Sequence, residues 1–245
     1  MILKLDDKKI VIQKAKKREY SKEYHVLREK IWKEEKQKYQ NNIWNGELYT
    51  VEEIKNSDSN GQLVLSLGLC EYKDIVLKNK IGIKKLYASF GSKMIPKHLF
   101  ITVIPKTTNN KYLFVKIGSA TYQNEGVLDL IGGSLNHDEQ KIESLEDIKK
   151  AAVSELKEEA EINVNIDSLK GFVIIRYNAS YHFVFSLNTS VDANGLRAKK
   201  DSHEISKVVE LSKKEIKNYK DSSTKEFEFC KKYIEELYEK THKLI

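Results

Sequence analysis

A strand, a pair of glycines and an acidic helix follow one another in residues 130–164, LIGGSLNHDEQKIESLEDIKKAAVSELKEEAEINV. Ser144, with Asp147 three residues later, has the spacing of a capping box and predicts a helix that begins there and ends near Ala160. Residues 134–161 contain nine acidic residues against four lysines, in a chain whose formal net charge is +7. The like charges of this acidic helix must be screened, either by water along an exposed face or by bound cations.

The helical period separates the glutamates of this segment from its apolar residues. Three carboxylates share one side of the helix by the i, i+3, i+4 rule, those of Glu155, Glu158 and Glu159. The adjoining apolar stripe consists of Leu145, Ile148, Ala152, Leu156 and Ala160. Neighbouring carboxylates repel one another unless a cation neutralises them, and Mg²⁺ prefers oxygen ligands. The pattern indicates a metal site, with a solvated helix face as the alternative.

Periodicity elsewhere predicts strands around this helix. ILKL and KIVIQ have the pattern of a hairpin, a helix is predicted from about Ser21 to Gln40, and LFITVIP and KYLFVKI are predicted to pair. GVLDLIGG predicts a further strand that ends at glycines, and four strand-like segments follow the acidic helix before helices at about 213–219 and 224–242. Strands on both sides of a helix indicate an α/β sandwich with a mixed sheet.

Gly132 and Gly133 end a strand where backbone amides can approach a phosphate, and Glu139 follows in the loop. In this order the residues resemble the Nudix box, GX5EX7REUXEEXGU, in which U is a bulky aliphatic residue. Gly133 and Glu139 match its opening. Its close is matched by Glu155, Leu156, Glu158, Glu159 and Ile162.

The chain departs from that box at three points. Ser154 stands in place of arginine, Glu161 stands in place of glycine, and the spacer before Ser154 is longer by seven residues. Aligning Glu146 instead of Glu139 restores the spacing but leaves the glycines too distant. The family arginine is expected to hold a catalytic glutamate through a charge-assisted contact of roughly 1.5–3 kcal/mol. Lys150, Lys157 or another cation could replace it, the enzyme could be slow, or the chain could only bind a nucleotide.

The segments NGELYTV, LVLSLGLCEYKD and VLDLIGGS together resemble a Nudix subgroup that hydrolyses UDP-glucose and UDP-galactose and carries an N-terminal extension and an expanded box. This resemblance spans roughly residues 41–165. It implies a Nudix-type α/β/α sandwich with a mixed sheet over residues 96–245, preceded by an α+β extension over residues 1–95.

The resemblance also implies an activity, the metal-dependent hydrolysis of a nucleoside diphosphate-sugar such as UDP-glucose to UMP and a sugar 1-phosphate. The implied cofactor is Mg²⁺ or Mn²⁺. Glu155, Glu158 and Glu159 are the predicted catalytic residues and metal ligands, with Glu139 as a further ligand. The predicted substrate-binding residues are Gly132, Gly133, Tyr72 and Lys73, and Glu204 is the candidate general base. Hydrolysis of ADP-ribose or a dinucleotide, and a catalytically silent nucleotide sensor, are the alternatives.

Composition bounds the partners and the location. Residues 73–116 contain ten lysines and one aspartate, a basic field that attracts anions. The basic runs carry no RNP-like, zinc-finger or helix-turn-helix signature, so we expect no nucleic-acid partner, although a basic nucleic-acid-binding module is the third alternative. No run of 18 apolar residues and no signal-peptide pattern is present, which predicts a cytoplasmic protein without a membrane partner.

Overall fold

The computed structural model describes residues 2–4, 9–39, 43–57, 61–119, 125–177, 179–191, 205–224, 227–228, 231 and 234. The strands are β1 (Ile2–Lys4), β2 (Lys9–Lys17), β3 (Glu47–Ser57), β4 (Gln62–Glu71), β5 (His98–Thr107), β6 (Lys111–Ile117), β7 (Leu128–Asp129), β8 (Leu169–Tyr177), β9 (Ser180–Thr189) and β10 (Ile205–Ser212). The helices are α1 (Lys22–Lys38), α2 (Tyr72–Ile81), α3 (Ile83–Phe90), α4 (Leu145–Ala160) and α5 (Lys213–Asn218), with a short 3-10 turn at Ile166–Ser168.

One mixed sheet organises the described residues. Its strand order is β1-β8-β9-β5-β3-β4-β2, and β6 connects β5 to β10 and β7. The β5–β9 and β2–β4 pairs are parallel, whereas β8–β9, β3–β4 and β6–β10 are antiparallel. The predicted α/β class with a mixed sheet is therefore confirmed, as is the antiparallel contact between β5 and β6.

The N-terminal hairpin prediction is wrong. β1 pairs with β8 at one end of the strand order, and β2 runs parallel to β4 at the other end. Alternating hydrophobic residues identify a strand and its buried face, but they do not identify the strand with which it pairs. Helices α2 and α3, which lie in the lysine-rich stretch before Pro96, were not predicted, and the helix predicted at 224–242 lies largely outside the described residues.

Strands from both sides of residue 95 belong to the same sheet. Thr50 of β3 pairs with His98 of β5, and the Val51 amide donates a hydrogen bond of 2.8 Å to the Lys97 carbonyl. β3 and β4 therefore continue the sheet that holds β5. The division of the chain into residues 1–95 and 96–245 stays a prediction.

The main core lies between this sheet and α4. Leu99, Ile101 and Val103 alternate along β5 and pack in the same buried cluster as Ile148 and Leu156 of α4. Ile104, on the opposite face of β5 by the two-residue period, belongs to a second cluster with Phe114 and Phe227. The buried apolar stripe holds α4 against the sheet. The glutamates therefore lie on the sides of α4 that do not face the core.

A buried ion pair joins α1 to α2. Arg28 is 3% exposed and Asp74 is fully buried, and their side chains approach to 3.2 Å. The Tyr20 hydroxyl donates a further hydrogen bond of 3.2 Å to Asp74. Burial raises the pKa of the Asp74 carboxyl above its ordinary value, and the Arg28 guanidinium opposes that rise. The pair is thus the charged centre of the contact between these helices.

Candidate active site

Two glutamates of α4 lie against the two glycines. Glu159 accepts a hydrogen bond of 2.9 Å from the Gly132 amide through its Oε2 atom. Glu155 lies beside Gly133, where an added Cβ atom would stand 2.5 Å from Oε1 of Glu155. Both glutamates are half-buried. The helical face inferred from residue spacing therefore meets the glycine pair, with its two carboxylates one helical turn apart.

The backbone of the glycine pair is held by β5. The Ile101 amide donates to the Gly133 carbonyl at 2.9 Å, and the Gly133 amide donates to the Ile101 carbonyl at 3.1 Å. Gly132 has a φ of +143°, which a side chain rarely adopts, and an added Cβ would collide with the Ile101 carbonyl. Glycine at 132 lets the strand lie this close to β5, and glycine at 133 leaves the space that Glu155 occupies.

Glu158 lies on a more open side of the helix. It is exposed, and its Oε1 atom accepts a hydrogen bond of 2.8 Å from the Ser154 hydroxyl. Lys150, one of the cations considered as a replacement for the missing arginine, instead pairs with Glu146 at 2.9 Å. An uncharged hydroxyl donor, in place of a cation, thus contacts Glu158 from the position at which the Nudix box has arginine.

The other residues predicted for the site have contacts with other parts of the chain or lie outside the described residues. Glu139 is exposed in the turn that follows the strand. Tyr72 begins α2 and its ring lies 6.3 Å from that of Trp44, while Lys73 forms ion pairs with Glu29 and Glu71 at 2.8 and 3.2 Å. Both residues therefore contact the N-terminal part of the chain. Glu204 lies outside the described residues.

A second cluster of possible ligands lies at the start of β3 and was missed from the sequence. Side-chain atoms of Glu47, His137 and Asp138 all lie within 4.8 Å of one another. Cations already accompany them, since Lys17 lies 2.8 Å from Glu47 and Lys141 lies 3.0 Å from His137 Nε2. Glu47 and His137 are far apart in the chain, and no local motif links them. They are brought together where Leu48 of β3 forms an isolated bridge with Asn136, in the segment that follows the glycines.

The chemistry of the donor set favours a hard divalent cation at Glu155 and Glu159. Both residues offer carboxylate oxygens from one helical face, and glycine at 133 leaves room for the Glu155 carboxylate. Oxygen ligands of this kind suit Mg²⁺ or Mn²⁺, whereas nitrogen and sulfur ligands are preferred by softer metals. The arrangement can hold a cation between these carboxylates and an approaching anionic group.

We expect Gly133→Ala to weaken Mg²⁺ binding by about 10-fold without unfolding the protein. The new methyl group would displace the Glu155 carboxylate, which is the movable end of a side chain, so the effect on stability should be small. Gly132→Ala is the contrasting variant, because its methyl group would meet the Ile101 backbone and should lower the melting temperature. Calorimetric Mg²⁺ titrations and thermal melts measure the two effects. Wild-type Mg²⁺ affinity in Gly133→Ala would contradict the assignment of Glu155.

The described residues contain no helix with both the length and the apolar character needed to cross a membrane.

Comparison with known proteins gives structural similarities only: no protein-family model and no curated protein matches the chain. A MutT protein from Methanosarcina mazei Go1 is 18% identical over 59% of this chain and 95% of that chain, with a TM-score of 0.43. A bifunctional NMN adenylyltransferase/ADP ribose pyrophosphatase from Francisella tularensis, complexed with AMP and a manganese ion, is 20% identical over 68% of this chain and 49% of that chain, with a TM-score of 0.46. The NUDIX domain of Shewanella oneidensis NrtR, complexed with ADP ribose, is 15% identical over 63% of this chain and 98% of that domain, with a TM-score of 0.42.

Proposed function

We propose that this chain is a Nudix-type diphosphatase that hydrolyses a nucleoside diphosphate-sugar, such as UDP-glucose, to UMP and a sugar 1-phosphate. The observation that carries this proposal is the meeting of Glu155 and Glu159 with Gly132 and Gly133. These residues come from the two ends of the box-like segment, and folding brings them into direct contact.

Glu155 and Glu159 are the residues that would hold Mg²⁺ or Mn²⁺, with Glu158 as a third candidate ligand. Both are half-buried, so their carboxylates are less screened by water than those of a fully exposed helix face. A divalent cation supplies charge neutralisation on a diphosphate and a lower pKa for a bound water molecule. The like charges of the helix thereby acquire a role, since their repulsion favours binding of a cation.

The chain itself contributes two positioned carboxylates and a third that faces water. The absence of a side chain at Gly133 leaves room for the Glu155 carboxylate, and the Gly132 amide holds that of Glu159. The Ser154 hydroxyl donates to one oxygen of Glu158 and leaves the other oxygen able to accept a proton from water. Because Glu158 is exposed, water can reach it directly. Glu158 is thus the residue of the three best placed to orient or deprotonate a water nucleophile.

The sugar-nucleotide substrate is supported by the resemblance of two segments of the chain to the UDP-sugar subgroup. LVLSLGLCEYKD forms the greater part of β4 and the start of α2, and VLDLIGGS runs from β7 through the glycine pair. A catalytically silent nucleotide sensor is the second candidate. The observation that favours it is Ser154, whose uncharged hydroxyl contacts Glu158 where the family is expected to have the cationic guanidinium of arginine.

Phosphorus NMR of the purified protein with Mg²⁺ tests the proposal against a panel of UDP-sugars, ADP-sugars, dinucleotides and nucleoside triphosphates. We expect UDP-glucose or UDP-galactose to yield UMP and the sugar 1-phosphate. Cleavage confined to ADP-ribose or a dinucleotide would refute the sugar-nucleotide assignment while leaving diphosphate hydrolysis in place. Binding of a UDP-sugar without turnover would favour the sensor.

A further inference from the structure

We infer that a cavity of about 220 Å³, between β2, β3 and the loop that precedes α4, binds the hydroxyl-bearing ring attached to the diphosphate. This inference rests on the proposed function and deepens it by assigning a place to the sugar. The lining consists of Ile12 and Lys14 of β2, Tyr49 of β3, and His137, Lys141, Ile142 and Glu143 of the loop.

Tyr49 holds this loop against the sheet. Its backbone amide donates to the Leu135 carbonyl at 2.9 Å. Its hydroxyl donates to the Gln140 carbonyl at 3.2 Å and accepts from the Ile142 amide at 3.0 Å. Tyr49 thus takes part in three hydrogen bonds that hold the loop against β3. This loop contains the part of the spacer that makes it longer than in the Nudix box. The spacer and the N-terminal extension, the two additions to an ordinary box segment, together form the walls of the cavity.

The cavity lies on the same face of the sheet as the glutamate site. Tyr49, which lines the cavity, belongs with Leu135 to the buried cluster that lies between the sheet and α4. The chain leads from Gly133 through Leu135 to His137, another lining residue, and four residues span at most roughly 14 Å. A diphosphate beside Glu155 and Glu159 can thus direct its attached group along this segment toward the cavity.

The size of the cavity indicates a single ring. Pockets that enclose a whole drug-sized ligand have volumes of roughly 300–1,000 Å³. At about 220 Å³ this cavity is smaller than that range. It fits one end of a nucleotide sugar, and the rest of the substrate would lie outside it.

The lining favours a sugar over a nucleobase. A hydroxyl group both donates and accepts hydrogen bonds, and the lining offers the ammonium groups of Lys14 and Lys141 and the carboxylate of Glu143. A base would need an open aromatic face. Tyr49 is only 2% exposed, and its ring meets that of His137 edge-on at 5.3 Å, so it offers no such face.

Calorimetric titration with glucose 1-phosphate in the presence of Mg²⁺ tests the cavity without requiring turnover. We expect the wild-type protein to bind glucose 1-phosphate more tightly than inorganic phosphate. Lys14→Ala and Glu143→Ala should each weaken that binding by about 10-fold, the effect of losing one hydrogen bond to a charged group. Lys16→Ala is the matched control, since Lys16 is exposed on the same strand and outside the cavity lining, and it should bind like the wild type.

Titration with UMP separates the sugar from the nucleotide, and UMP affinity should be the same in all of these proteins. Failure of the wild type to bind glucose 1-phosphate, equal affinities in wild type and both cavity variants, or a parallel loss of UMP binding would each overturn the inference. A protein that hydrolyses no diphosphate but loses glucose 1-phosphate binding in the two cavity variants would refute the proposed activity and support the cavity. Turnover of UDP-glucose with an unchanged KM in both variants would support the proposed activity and refute the assignment of the cavity.

Discussion

Glu159→Gln is expected to lower turnover by about 100-fold or more and to weaken Mg²⁺ binding, because it removes the charge of a carboxylate that we propose as a direct metal ligand. The substitution preserves the shape of the side chain and nearly preserves helix propensity. The glutamine carbonyl oxygen can still accept the hydrogen bond from the Gly132 amide that Glu159 now accepts at 2.9 Å. The local geometry should therefore survive, and the loss should follow from charge.

Hydrolysis assays and thermal melts with and without Mg²⁺ measure this effect. Glu161→Gln is the control, since Glu161 is an exposed residue at the end of the same helix. If α4 is only a solvated surface, relief of like-charge repulsion should leave the stability of Glu159→Gln unchanged or higher by a few tenths of a kcal/mol. Wild-type turnover together with a wild-type response to Mg²⁺ would remove Glu159 from the catalytic assignment.

Arg28→Ala is expected to lower the free energy of unfolding by about 3–5 kcal/mol, the typical cost of leaving one partner of a buried ion pair uncompensated. Asp74 is fully buried and would lose the guanidinium that lies 3.2 Å away. The Tyr20 hydroxyl and the Glu71 amide, which also donate to this carboxylate, would remain as neutral donors. Denaturant unfolding measures the change, and Lys30→Ala, an exposed position on the same helix, should be nearly neutral.

The loss in Arg28→Ala should also depend on pH. Burial already raises the pKa of Asp74, and removing the guanidinium that opposes this rise should raise it further. A carboxyl whose folded pKa exceeds its unfolded value favours folding at low pH, and that contribution is lost as pH rises through the folded pKa. The loss of stability should therefore be larger at about pH 8 than at about pH 5. A loss of equal size at both values would show that packing of the Arg28 side chain, and not its charge, is what matters.

Local chemistry explains which features could be predicted. The capping box at Ser144 and Asp147 forms as expected, and α4 ends at Ala160. The Ser21 side chain caps α1 in the same way, and the helix begins at the next residue. Such features depend on side chains within one turn of each other, so the residues that determine them are adjacent in the chain. Strand periodicity is likewise local, which is why the mixed α/β class was confirmed.

Contacts between distant segments could not be predicted from local sequence patterns. The apolar stripe and the carboxylate face of α4 can be read from the residue order, because helical spacing places those residues regardless of what surrounds them. The contact of Glu155 and Glu159 with the glycine pair, and the exposure of Glu158 beside Ser154, are apparent only in the folded chain. The same is true of the positions of β1 and β2 at opposite ends of the strand order and of the contact between Glu47 and His137. Strand pairing and burial depend on which distant surfaces fit together, and a residue's chain neighbours do not specify those surfaces.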